Sequence, residues 1–358
     1  MAVWKTLDKM QNLLIICLKT KQKAKKTEEF PSPGGRLTGG EMSMTEQMGD
    51  CRKKDRLDPQ FRWIAGAKIP ASSRAVQLLQ PIMRAFPCLG AKGVRIRRTV
   101  IRGKEENRIP VLIFTPEGEA LLRPCLVYFH GGGFLFPAVP YHYELAKRFA
   151  LEADCTVVFP DYRLLPGFTY PAQLDDCIAA YERVLRQHEH LQIDSGRIAV
   201  GGDSAGGTLA AAAALRIRDH GILPPCFQML IYPAVDWRMQ THSAKNSPDT
   251  PILSTEDVKK IWRMYLPELP QEHPEYASPM EAGSLAGLPP AYIELAELDP
   301  LHDEGLVYGT KLIEAGGKAE INQTVGTPHG FDLAWKSGIT RRAVATRCQA
   351  LIGAFDTE

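Results

Sequence analysis

Eight strand-like runs recur between residues 94 and 325, and helical spacing of apolar positions separates most of them. VRIRRTVI (94–101) alternates apolar residues with an arginine-rich outer face, and RIPVLIFTP (108–116) follows after a short turn. The two predict an antiparallel pair at a sheet edge. CLVYFH, CTVVFP, RIAVGG, FQMLIYP, PAYIELAE and AEINQTV supply six further strands. Helical patterns fall around 143–151, 173–186, 205–219 and 305–315, and a last helix is expected over 340–355. This alternation predicts an α/β protein with a mostly parallel sheet covered on both faces.

Two stretches break the rhythm. Residues 61–89 are irregularly helical and interrupted by Pro70, Pro81 and Pro87. Residues 235–289 are polar, contain prolines and turn helical only near STEDVKKIWRMYL, and an insertion this long suits a lid or cap. The expected organisation is therefore a disordered leader over 1–44, an N-terminal helical part of a cap over 45–90, and a main domain over 91–358 with a cap insertion at about 236–288. The leader holds NLLIICL, shorter than a usual signal-peptide core and followed by KTKQKAKKTEE instead of a small-residue cleavage site. Initiation at Met42 or Met44 and a weak membrane-surface anchor are the alternatives for that segment.

Composition then removes several classes of function. With 44% hydrophobic and 23% charged residues the chain reads as globular, and a formal charge of +2 is too small to suggest nucleic acid. No apolar stretch approaches the roughly 18 residues of a membrane span, so no stable membrane insertion is expected. Eight scattered cysteines without a C-x-x-C pair fit free thiols in a reducing cytoplasm. HEH at His188–His190 has the wrong spacing for a helical metal pair, and no metal is expected. The phosphate-binding patterns G-x-x-x-x-G-K-[ST] and G-x-G-x-x-G are absent.

The chemistry enters at RIAVGGDSAGGTLAAAAALRIRD, which sets Gly202-Asp203-Ser204-Ala205-Gly206 between a strand and a helix. In that context G-x-S-x-G is a nucleophile elbow, its glycines allowing a sharp turn that lifts the serine clear of the sheet. Serine needs a base oriented by a carboxylate, in the chain order Ser, acid, His. His329, in a turn just past the last predicted strand, is the candidate base. His220 closes the helix behind the serine, His242 and His273 fall in the insertion, and His302 reads as a loop residue. Asp299, at the tip of a strand, is the candidate acid, with Asp303 as its rival one turn further on. Some 70 residues upstream of the serine, HGGGF ends the third strand. Its Gly131, Gly132 and Gly133, with Ala205 after the nucleophile, are the expected oxyanion donors, and His130 is expected to brace that loop.

HGGGF, GDSAGG, DPL-x-DEG and HGF in this order resemble the hormone-sensitive-lipase-like esterases of the α/β-hydrolase superfamily, also called bacterial family IV carboxylesterases. The resemblance runs from about Gly93 to the C-terminus and includes DYRLLPGFTYPAQLDD and GLPPAYIELAELDP. It implies an α/β-hydrolase fold with an eight-stranded sheet under a helical cap, and a triad of Ser204, Asp299 and His329. It also implies oxyanion donors at Gly132, Gly133 and Ala205, scaffold roles for Tyr162, Arg163 and Asp176, no cofactor, and short- to medium-chain ester substrates. Pro137 and His302 stand where that family usually has glycine and arginine. The plant gibberellin receptors resemble the same esterases but bind a hormone, their triad histidine having been replaced. His329 is present here, so a silent binding module is the lesser alternative. An amidase, lactonase or deacetylase could use the same triad. An exposed last strand would let two copies pair as a homodimer.

Overall fold

The computed structural model describes residues 56–69, 73–86, 88–118 and 122–356; the expected leader over 1–44 and the start of the N-terminal cap segment lie outside them. Eight strands form one sheet in the order β1-β2-β4-β3-β5-β6-β7-β8. They span Val94–Arg102 (β1), Arg108–Pro116 (β2), Arg123–Phe129 (β3), Thr156–Pro160 (β4), Ile193–Asp203 (β5), Phe227–Ile231 (β6), Ala291–Leu298 (β7) and Ala319–Pro328 (β8). β1 and β2 are antiparallel, β2 joins β4 antiparallel, and every later pairing is parallel. The edge pair and the mostly parallel sheet follow the pattern read from the sequence.

The period of two explains how the sheet buries both faces. Along β3, Cys125, Val127 and Phe129 enter one apolar core while Leu126 and Tyr128 enter the other. The first core takes residues from Ala172–Gln187 (α3), Ala205–Asp219 (α4) and His302–Glu314 (α7). The second takes residues from Pro140–Glu152 (α2) and Gly338–Phe355 (α8). β3 is buried along its whole length, which an unbroken apolar run requires.

The irregular segments fold against each other. Ser73–Arg84 (α1) runs through Pro81, where the sequence suggested a break. Proline removes its own N–H and crowds the carbonyl of Gln77 one turn back, yet the helix continues past it, the N–H of Ala85 reaching the Pro81 carbonyl at 3.2 Å. In the insertion, a single turn at His242–Lys245 (α5) precedes Thr255–Tyr265 (α6). A capping box starts α6: Ser254 accepts from the Asp257 N–H, and Asp257 accepts from the Ser254 N–H at 3.1 Å. The N-terminal segment and the insertion are stitched at Ile252, whose N–H donates to Ala67 O (2.7 Å) and whose carbonyl accepts from Ile69 N–H (3.0 Å).

Candidate active site

Four neighbouring strands bring the chemistry together. Ser204 stands between the end of β5 and the start of α4 with φ 55° and ψ −121°, a conformation that a side chain strongly disfavours. Two glycines permit it. A Cβ on Gly206 would lie 2.0 Å from the Phe129 carbonyl oxygen, and one on Gly202 would lie 2.4 Å from the Gly206 backbone. The Ser204 N–H donates to the Ile231 carbonyl at the end of β6 (2.8 Å), which fixes the elbow to the sheet.

The ladder between β7 and β8 shifts register after Ala296, and Leu298 then pairs with Pro328. The next residues, Asp299 and His329, thereby leave the sheet side by side. His329 Nδ1 lies 2.7 Å from Asp299 Oδ2, and His329 Nε2 lies 2.8 Å from Ser204 Oγ. Because a carboxylate only accepts, Nδ1 carries the proton and the Nε2 lone pair faces the hydroxyl. The second oxygen of Asp299 accepts the Leu301 N–H at 2.9 Å. All three side chains are buried.

The other candidates lie elsewhere. Asp303 is held at the start of α7, where its Oδ2 accepts the Ser243 N–H (2.7 Å) and its Oδ1 meets His302 Nδ1 (2.7 Å). His302 is the first residue of α7, where the sequence suggested a loop. Its other nitrogen faces Gln323 Oε1 at 3.0 Å. His220 caps the end of α4 and donates to Arg216 O at 2.9 Å. His188 and His190 lie beyond the end of α3, in the turn before β5, so they occupy no helix faces. The surrounding scaffold includes Arg163, whose Nε sits 3.0 Å from Asp176 Oδ2.

The glycine loop departs from expectation at one position. The Gly131 N–H, expected to face an oxyanion, donates instead to Asp203 Oδ1 at 3.0 Å and is already used. Gly132 (φ 105°) and Gly133 (φ 63°) follow it and border the same cleft as Ser204 and Ala205. His130 braces the loop from below: its Nδ1 donates to Gly131 O (2.8 Å) and its ring stacks on Tyr162 at 4.4 Å. Tyr162 OH donates to the His130 carbonyl at 2.6 Å. Burial, reinforced by His142, pushes the His130 pKa down to about 3, so the ring is neutral at working pH.

Sequence reasoning missed the polar residues behind this loop. Asp203 is fully buried and accepts from Tyr128 OH (2.7 Å) and Tyr141 OH (3.1 Å) as well as from Gly131. Burial alone would raise its pKa, but His142 and the Tyr128 hydrogen bond outweigh that and hold it at about 2, below the ordinary 3.8. A carboxyl with a depressed folded-state pKa stabilises the fold above its unfolded value and loses that contribution as pH falls through the folded one. The expected result is that, between about pH 4 and pH 2, the wild type loses about 2 kcal/mol more stability than Asp203→Asn, whose side chain cannot titrate. Urea unfolding at stepped pH checks this, and parallel acid profiles would refute it.

The cleft above Ser204 is walled by side chains from both irregular segments. Leu79, Ile82 and Met83 of α1 face it from one side, and Val258, Ile261 and Trp262 of α6 from the other. Phe134, just past the glycines, stacks on Tyr265 with ring centroids 3.9 Å apart. The lining is overwhelmingly apolar, and among the described residues no lysine, arginine or glutamate borders it.

An eight-stranded sheet with a serine elbow at β5, an acid after β7 and a histidine after β8 defines the α/β-hydrolase class with a serine centre. The sequence model of a family described as having the alpha/beta hydrolase fold matches residues 126–333. The chain belongs to that family, as a hormone-sensitive-lipase-like member of the superfamily. It is 41% identical over 209 residues to the esterase LipI of Mycobacterium tuberculosis, covering 58% of this chain and 65% of that one. It is 37% identical over 226 residues to the carboxylesterase NlhH of the same species, covering 62% and 71%. It thus spans slightly under two thirds of the first relative's length. Among solved structures, the esterase LipW from Mycobacterium marinum superposes with a TM-score of 0.79 at 33% identity, covering 85% of this chain and 98% of that one.

Proposed function

We propose that this chain is a carboxylesterase that cleaves neutral esters of short to medium acyl chains through an acyl-serine intermediate. The observation that carries the reading is the continuous hydrogen-bonded line from Asp299 through His329 to Ser204, at 2.7 and 2.8 Å. In the proposed mechanism Ser204 Oγ attacks the ester carbonyl carbon while His329 Nε2 takes its proton. Asp299 holds the imidazole tautomer and stabilises the imidazolium. The oxyanion is received by the N–H groups of Gly132, Gly133 and Ala205. His329 then protonates the leaving alkoxide as the carbon–oxygen bond breaks. Water, activated by the same imidazole, releases the acid and restores the serine.

The N-terminal helical part expected over 45–90 and the insertion at 236–288 are assigned as a cap that sets acyl length, because α1 of the first and α6 of the second both line the cleft that holds Ser204. The apolar lining favours uncharged substrates, since an ionised group would lose its hydration there without a partner. The six cysteines among the described residues are all free, in keeping with a cytoplasmic setting. Among the described residues no helix is long and apolar enough to cross a membrane. β8, at the sheet edge, is the strand on which a second copy would pair.

A panel of p-nitrophenyl esters from acetate to palmitate, with p-nitrophenyl phosphate and p-nitroacetanilide alongside, tests the reading. Hydrolysis of acetate to octanoate, weak turnover of palmitate and inert phosphate are expected. Anilide cleavage faster than ester cleavage would reassign the chain as an amidase. Binding of esters without any hydrolysis would restore the silent-receptor alternative.

A further inference from the structure

We propose that Asp203, the residue before the nucleophile, is a positioning residue that clamps both ends of the glycine loop and so presents its free amides to the oxyanion. The inference rests on the assignment of Ser204 as nucleophile.

At the first end, the carboxylate captures the loop directly. Asp203 Oδ1 accepts the Gly131 N–H at 3.0 Å, and a Cβ on Gly131 would lie 2.3 Å from Asp203 Oδ2, so the loop is pressed onto the carboxylate. At the far end, the connection runs through His142. Its Nδ1 accepts the Val139 N–H at 3.0 Å, so the ring proton must sit on Nε2, which lies 3.3 Å from Asp203 Oδ2 in electrostatic contact without the alignment of a hydrogen bond. Tyr128 and Tyr141 complete the carboxylate's surroundings. Residues 131–139 are therefore held at the first terminus by a hydrogen bond to Asp203, and at the far one through His142, whose ring stands against the same buried carboxylate next to the nucleophile. The loop cannot drift relative to Ser204 without breaking a contact to Asp203. With the Gly131 N–H consumed, Gly132 and Gly133 are left to supply the donors. These amides make no hydrogen bond to a protein acceptor among the described residues and border the cleft.

The two ends respond differently to substitution. Asparagine at 203 keeps an oxygen for Gly131 but turns an amide N–H₂ toward the His142 Nε2 proton, setting donor against donor. The imidazole must then change tautomer and give up Val139. Alanine releases both ends.

The experiment measures kcat, KM and inhibition by an alkyl trifluoromethyl ketone for Asp203→Ala, Asp203→Asn, His142→Leu and the Asp203→Asn/His142→Leu double variant. Stoichiometric labelling by a fluorophosphonate counts the competent sites in each preparation. Asp203→Ala is expected to lower kcat per labelled site by about 10²-fold, the scale of losing an oxyanion donor, with KM within about threefold. The inhibitor, which forms the same oxyanion, should weaken by the same factor that kcat/KM falls. Asp203→Asn and His142→Leu should each lose about tenfold, and the double variant should lose no more than either, because both open the same end of the loop.

A loss that disappears when activity is divided by labelled sites, with unchanged ketone affinity, would make Asp203 merely structural and overturn the inference. So would full additivity in the double variant, which decides the matter even if Asp203→Ala does not fold. Ser204→Ala is the control for the underlying assignment. If that variant stays active, the nucleophile reading fails; if it is dead while the Asp203 variants are unimpaired, only the present inference fails.

Discussion

Ser204→Ala is expected to lower ester turnover by ~10⁴-fold or more, leaving the residual catalysis that oxyanion binding and substrate positioning supply by themselves. The fold should survive the change. Alanine meets the same backbone strain at φ 55° that serine already tolerates, and the N–H bond to Ile231 O is untouched. What disappears is the hydroxyl that faces the His329 Nε2 lone pair at 2.8 Å. Without it, water must attack directly, and the imidazole has no bonded partner whose proton it can take in the bound geometry. Steady-state kinetics on p-nitrophenyl butyrate, with circular dichroism as the check on folding, measure the effect. Turnover within tenfold of wild type would remove Ser204 from the mechanism.

The largest effect on stability is expected at Arg347, in α8. Its side chain is entirely buried, with Nε 3.0 Å from Glu294 Oε2 and Nη1 2.9 Å from Asp332 Oδ1. A further contact joins Nη2 to Glu294 Oε1. Burial by itself disfavours the charged guanidinium, but Asp332 and Glu294 more than reverse this and push its pKa well up. Arg347→Leu would strand two buried carboxylates with no counter-charge, at a cost of about 3–5 kcal/mol. The damage should extend to the site, because Asp332 also accepts Tyr232 OH at 2.6 Å and the Tyr232 ring packs edge-on against His329 at 5.0 Å. By contrast, Arg102→Ala breaks only the exposed pair with Glu106 and should cost under about 1 kcal/mol. Urea unfolding of the two variants side by side tests the contrast. Equal, small shifts would mean that the buried cluster is not held together by charge.

The sheet was legible because its strands leave short-range signatures. β3 is an apolar run ended by glycines, and β1 alternates arginine with aliphatic residues because one edge faces solvent. Ser204, Asp299 and His329 were legible because each follows a strand end, where an α/β sheet gathers its chemistry. The route taken by Gly131 was not, since three consecutive glycines look alike until one of them meets a buried acceptor. Nor was the Arg347 cluster. An arginine in a terminal helix reads as a solvated face, and its partners stand on β7 and beyond β8, distant in sequence and joined only by the packing of α8 across the sheet. Pro81 misled for a local reason, as one lost N–H is a cost that a helix packed over a cleft can absorb.

The most direct test is the mass of the protein during turnover. Rapid mixing with a slowly deacylating p-nitrophenyl ester, followed by acid quench and peptide mapping, should reveal one acyl group per chain on the peptide that carries Ser204, formed together with a stoichiometric burst of p-nitrophenol. Steady hydrolysis with no burst and an unmodified Ser204 peptide, or acylation of a different residue, would contradict the account.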